Sequence, residues 1–211
     1  LTVDLPIGIL RGLSTDTKPT SVNHGTLFFE TDTGKTFYWN SNISEWIEQT
    51  DEKRWQVLGV AVLNVAGDSL IVQNLKPRKY LKCLFVCLPS TSANGRFRFN
   101  GDTGSNYADR VSANGGADAI LTSQTTTPLF GNHVNNPKIS IFDILNLKNQ
   151  EKLIICHVVE RGTAGAANPP NRGETVNKWA NTTEKINKIE AINNTANDFD
   201  VGMTLIVLGH D

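Results

Sequence analysis

The densest collection of side chains able to bind or to react lies between Arg96 and Arg110, in RFRFNGDTGSNYADR. Asn100, Asp102, Gly104, Asn106 and Asp109 offer oxygen atoms at near-alternate positions, loosely in the manner of a calcium loop. Asn100, Asp102, Asn106 and Asp109 are therefore the candidate ligands, although the distal bidentate Glu of such a loop is missing. The same residue types also build a loop that bonds to itself, because Gly accepts positive φ and Asn or Asp side chains capture nearby backbone amides. That reading needs no metal and is the preferred one, so no cofactor is expected. Arg96, Phe97, Arg98 and Phe99 alternate polar and aromatic, the period of a strand with one buried face. Asp109 and Arg110 are expected to pair with each other or with Arg96 and Arg98. Arg96, Arg98, Asn100, Asp102, Tyr107, Asp109 and Arg110 thus form a predicted structural loop, with both acids held ionised by the neighbouring arginines.

No other chemistry converges in the sequence. His24, His133, His157 and His210 fall on a turn, a loop, a strand and the terminus, without paired metal-ligand spacing. His157 sits in an apolar run and is expected in the core. There is no nucleophile elbow, phosphate-binding glycine loop or dinucleotide fingerprint. Paired carboxylates of a glycoside hydrolase leave no fixed spacing, and Asp102 and Asp109 beside arginines suit structure better than acid catalysis. The expectation is a protein without enzymatic activity. Sugar stacking is the competing binding reading, on Trp39, Trp46 or Trp179 with Asn181. Packing explains those aromatics at least as well.

The elements that must hold these residues read as strands throughout. From residue 53 onward, short runs bounded by Gly, Pro, Asn or Asp are predicted at Trp55–Val65, Asp68–Leu75, Tyr80–Leu88, Arg96–Asn100, Ile139–Leu145, Lys152–Glu160, Asn177–Asn181, Ile186–Asn193 and Met203–Leu208. Without an amphipathic helix among them, the class is all-β. A count close to eight points to a jelly-roll-like β-sandwich over residues 53–211. Ser112–Asn136 and Gly162–Glu174 are read as long loops placed at subunit contacts or an exposed tip. Tyr80–Cys87 and Lys152–Val159 echo each other as central strands.

Residues 25–52 form a separate small β-meander: TLFFET, the Asp32-Thr33-Gly34 turn, KTFYW, and a short strand around Trp46. Residues 1–24 are read as an extended N-terminal arm. Its apolar cluster, Leu5, Ile7, Ile9 and Leu10, supplies the candidate attachment residues, ordered by lying on another protein surface.

Twenty Lys and Arg balance 21 Asp and Glu, so no general attraction to nucleic acid or anionic membrane is expected. The densest basic stretch, Lys76, Arg78, Lys79 and Lys82, reads as solvated strand-end charge. No apolar run is long enough to span a bilayer, and LTVDLPIGIL has no signal-peptide pattern. Cys83 and Cys87 lie four apart on one strand, roughly 13 Å between them, which no disulfide spans. With Cys156 they are expected reduced and buried, which fits folding in a cytoplasm.

RFNGDTGSNYADR, with SANGGA at Ser112–Ala117, Lys178-Trp179 and Gly202, resembles a module of structural proteins of tailed-bacteriophage virions, from about Trp55 to the C-terminus. The ETDTGK turn with its aromatic strand and later Trp also resembles small modules of phage fibres and appendages. The resemblance implies a β-sandwich on the virion, assembled in the host cytoplasm, as a head decoration protein, head fibre or tail appendage. On this reading the partners are copies of itself, as a homotrimer, and a major capsid or other virion protein. The alternative is a tail or fibre receptor-binding module for a host surface glycan.

Overall fold

The computed structural model describes residues 9–49, 54–88, 95–128, 136–194 and 199–211. The chain divides into two compact units, 1–54 and 55–211. Every element described is a strand, and among the described residues no helix is long and apolar enough to cross a membrane.

The N-terminal unit is one sheet ordered β1 (Ile9–Gly12), β2 (Leu27–Glu30), β3 (Thr36–Asn40), β4 (Glu45–Glu48). β2 to β4 follow the expected meander, with Gly34 at φ 71° in the first turn, a conformation that favours a residue without Cβ. Phe28 and Trp39 are buried, with Trp46 packed on both rings at 5.9 and 5.6 Å. Lys18 ties the preceding segment down through Glu30 at 2.7 Å and lies 4.4 Å from the Phe37 ring centroid. Residues 9–12 depart from the expected arm lying on another protein surface. They pair parallel with β2, Ile9 opposite Leu27, because β2 would otherwise present an unpaired backbone edge. Ile9 stays exposed and Leu10 is half-buried, while Leu5 and Ile7 lie outside the described residues.

The C-terminal unit begins with β5 (Gln56–Val62), β6 (Ser69–Val72), β7 (Tyr80–Cys87) and β8 (Gly95–Phe99). It continues through β9 (Tyr107–Ala113), β10 (Ala119–Gln124), β11 (Thr127–Pro128) and β12 (Lys138–Leu145), and ends with β13 (Lys152–Glu160), β14 (Asn171–Trp179), β15 (Ile189–Asn193) and β16 (Thr204–His210). An eight-stranded sheet runs β10-β9-β14-β13-β12-β7-β16-β5 and a four-stranded sheet β11-β8-β15-β6, all antiparallel. Without the hairpins β9–β10 and β13–β14, two quartets remain, β5-β16-β7-β12 and β6-β15-β8-β11. The chain crosses between them at each step except β8 to β11, which are neighbours. This is jelly-roll connectivity, and the two hairpins widen one sheet.

The sheets are joined by aromatic packing. Phe97 of β8 meets Phe142 of β12 at 4.3 Å and Phe85 of β7 at 6.1 Å between ring centroids. β7 shows why this sequence makes a strand with one inner face: Leu81, Cys83, Phe85 and Cys87 are buried in alternation with less buried residues. The echoing strands β7 and β13 flank β12 on its two sides. All three cysteines are free and buried, and burial pushes the Cys87 and Cys156 thiols up to about 12.

The two segments read as long loops instead contribute β10, β11, the end of β9 and the start of β14. Their Ser, Thr, Asn and Gly content hides the period of two, because the solvent-facing positions are polar or small and few inner positions are large. The start of β14, Asn171 to Thr175, shows this: Gly173 is an inner residue.

Candidate functional site

The Arg96–Arg110 loop is a fastening that closes one end of the sandwich. Asn100 and Gly101, at φ 52° and 70°, take the positive-φ pair that lets Asp102 N–H donate back to Phe99 C=O at 2.9 Å. Asn100 then works outward. Its Oδ1 accepts from Asn187 and Lys188 N–H at 2.9 and 3.1 Å, and its Nδ2 donates to Lys185 C=O at 3.0 Å. Asp102 works inward. Its carboxylate accepts from Gly104 N–H at 2.8 Å, Asn106 Nδ2 at 2.9 Å and the indole Nε1 of Trp179 at 2.7 Å. Burial pushes the Asp102 pKa up, but these donors overcome it and leave the carboxyl below its ordinary value. Tyr107, buried beside Phe99 and Trp179, accepts from Phe99 N–H at 3.0 Å.

The predicted loop residues are thus gathered in part, with different pairings. Arg110 pairs with Asp118 across the β9–β10 hairpin at 3.1 Å, not with Asp109. Asp109 points into the sandwich and accepts from Thr127 Oγ1 of β11 at 2.8 Å. Its other oxygen has no donor among the described residues, and burial raises its pKa to about 6. The expectation of an arginine-stabilised carboxylate fails here, because loss of hydration outweighs the more distant positive charge of Arg96. The calcium candidates do not converge: Asn100 and Asp102 spend their oxygens on protein donors, and Asp109 lies in the interior. Among the described residues, no three His, Cys, Asp or Glu side chains gather as a metal site.

A carboxyl whose folded pKa exceeds its unfolded value binds more protons in the folded state between those two values. Its contribution is fully favourable below the unfolded pKa near 4 and is lost as pH rises through about 6. Asp109→Asn is therefore expected to raise stability at pH 7 relative to the parent by on the order of 2 kcal/mol. The difference should vanish near pH 4 in urea titrations run at both pH values. A variant equally destabilised at both would contradict this.

Other expectations shift as well. His157 is exposed on the outer face of β13, not in the core. Arg78 is 2% exposed and pairs with Asp211 at 2.6 Å, so the basic stretch is not uniformly solvated. Trp39 and Trp179 are buried, which removes these two as sugar platforms, and Trp46, half-buried, donates its Nε1–H to Pro19 C=O at 2.9 Å. His133 lies outside the described residues.

Sequence reasoning missed an extended feature of the surface. The outer face of the eight-stranded sheet is aliphatic across most of its width. Val57, Val60 and Val62 on β5, Leu153, Ile155 and Val159 on β13, Val176 on β14 and Ile120 on β10 are 44–64% exposed. Half-buried Ile206, Leu84 and Ile141 share one cross-strand row with Val60. Among the described residues, several hollows open on this face. One of about 550 Å³ is floored by Leu153, Ile155, Val176 and Ile120. One of about 260 Å³ is bounded by Trp55, Tyr80 and Asp143. The available signal was apolar residues at consecutive positions in β13, which indicate burial on both faces of a strand. No protein-family model, curated protein or solved structure matches this chain.

Proposed function

We propose that the chain is a non-enzymatic structural protein of a tailed-phage virion, a capsid decoration or head-fibre protein attached through its N-terminal unit and assembled as a homotrimer. The observation that supports this reading is the aliphatic outer face of the jelly roll. A surface patch this extensive is characteristic of contact between proteins, not of solvent. Reduced, buried cysteines suit assembly in a host cytoplasm. On this account attachment uses apolar burial by Ile9 and Leu10, together with Leu5 and Ile7, and involves no covalent step. Ile9, 56% exposed on β1, is the residue to test.

Purified chain added to particles that lack it is expected to co-sediment with them. Ile9→Asp should weaken that binding at least tenfold without changing the melting temperature of the protein. Equal binding by the variant would remove the N-terminal attachment.

The second reading is a receptor-binding module for a host surface glycan. It is favoured by one observation, the exposed Trp55 and Tyr80 beside Asp143 at the smaller hollow, with His210 5.6 Å from the Trp55 ring. Glycan-array binding abolished by Trp55→Ala, without particle binding, would establish it over the first.

A further inference from the structure

We infer that the outer face of the eight-stranded sheet receives a second copy of this chain in a head-to-tail contact, the β5 edge of one copy seated in the hollows of the next. The inference deepens the structural reading above by assigning the surface that assembles the protein.

The extent of the face suits a stable interface. Eight strands about 4.8 Å apart, with four outward rows about 7 Å apart, cover roughly 34 by 20 Å. That is about 700 Å² in plan, so a neighbouring copy that covered most of the face would approach the ~800 Å² each partner contributes to a standard interface. Its charges favour a copy over an oppositely charged partner. Lys82 pairs with Asp143 at 2.8 Å, Lys178 with Glu151 at 3.0 Å, Arg110 with Asp118 at 3.1 Å and Arg172 with Glu174 at 3.9 Å. What remains is largely aliphatic, with His157 exposed among it, and the whole chain carries a formal charge of −1, so copies meet without strong repulsion.

The edges of the sheet set the direction of the contact. Among the described residues β5 pairs only with β16, and its sequence QVLGVAV contains neither charge nor Pro. Exposed Val57, Val60 and Val62 make it the kind of edge that folded proteins cover. The opposite edge, β10, is interrupted by a register break between Leu121 and Gln124, with Ser123 at φ 54°. The exposed valines of β5 are the apolar side chains that enter the hollows of the next copy. Such a contact is heterologous, and a ring of three is the smallest that closes it.

Sedimentation equilibrium on the full chain at about 50 μM provides the test. Parent protein should have the mass of three or more copies. Ile155→Arg on the face and Val60→Lys on the edge should each be monomeric while keeping the parent circular dichroism spectrum. Leu153→Arg replaces the face variant if Ile155→Arg does not fold. Mixing face and edge variants in equal amounts leaves one intact junction, so a two-copy species should appear. A monomeric or dimeric parent, a variant that assembles like the parent, or a mixture that stays monomeric would each overturn the inference. Because no particle is present, these outcomes are independent of whether the chain binds a virion.

Discussion

Trp179→Ala is expected to lower the stability of the C-terminal unit by about 3–5 kcal/mol, the range for deleting a large aromatic from a packed core. Trp179 is fully buried, stacked on Tyr107 at 6.3 Å and packed on Phe99 at 5.8 Å between ring centroids. Its indole N–H is also one of the donors that hold the Asp102 carboxylate. The substitution therefore opens a cavity and weakens the loop fastening together. Trp179→Phe separates the two effects. It keeps most of the ring packing and loses the charge-assisted hydrogen bond, for about 1.5–3 kcal/mol. Urea unfolding followed by circular dichroism at pH 7 gives both values. If the alanine variant were within 1 kcal/mol of the parent, the loop could not be the end closure described above.

Asn146→Leu should be nearly as damaging although it adds apolar volume. Asn146 follows β12 and is wholly buried. Its Oδ1 accepts from Ile186 N–H at 2.7 Å, and its Nδ2 donates to Arg78 C=O at 3.0 Å and Ile186 C=O at 3.4 Å. One amide thus satisfies backbone groups of two segments that enter β7 and β15. Leucine leaves those groups buried without partners, at about 1–3 kcal/mol apiece, and the summed loss should reach about 3 kcal/mol. Asn146→Asp is informative at low pH, where a protonated carboxyl restores one donor. It should recover stability on acidification relative to the leucine variant. Thermal melts of the two variants at pH 4 and pH 7 would show this, and parallel behaviour would exclude the bridging role.

The sandwich was legible in the sequence where one face of a strand is apolar. β7, β8, β12, β13 and β16 combine apolar inner positions with turn residues at their ends, and the jelly-roll expectation follows from their number. β9, β10 and the first half of β14 were not legible, because Ser, Thr, Asn, Asp and Gly alternate there without a hydrophobic period. Their positions are fixed by pairing with neighbours distant in sequence, such as Gly173 opposite Ala113. The closing loop was recognised from Asn100, Asp102 and Tyr107, but its partners were not. Trp179, Asn187 and Lys188 reach it only through the fold. The fate of Asp109 was misread for a related reason. Nearby arginines in sequence say nothing about desolvation, which depends on Thr127 and the rest of β11 closing over the carboxyl. The adhesive face was hidden because an apolar outer residue and an apolar core residue look alike in a string of letters.

The central claim is that the outer sheet face is occupied by protein when the molecule assembles. Ile155→Cys tests it directly, since Cys83, Cys87 and Cys156 are buried with raised pKa values and should not compete for a thiol reagent. The account predicts rapid labelling of the introduced thiol at nanomolar protein and at least tenfold slower labelling at about 50 μM, where copies associate. Equal labelling rates at both concentrations would mean that the face stays bare, and would contradict the account.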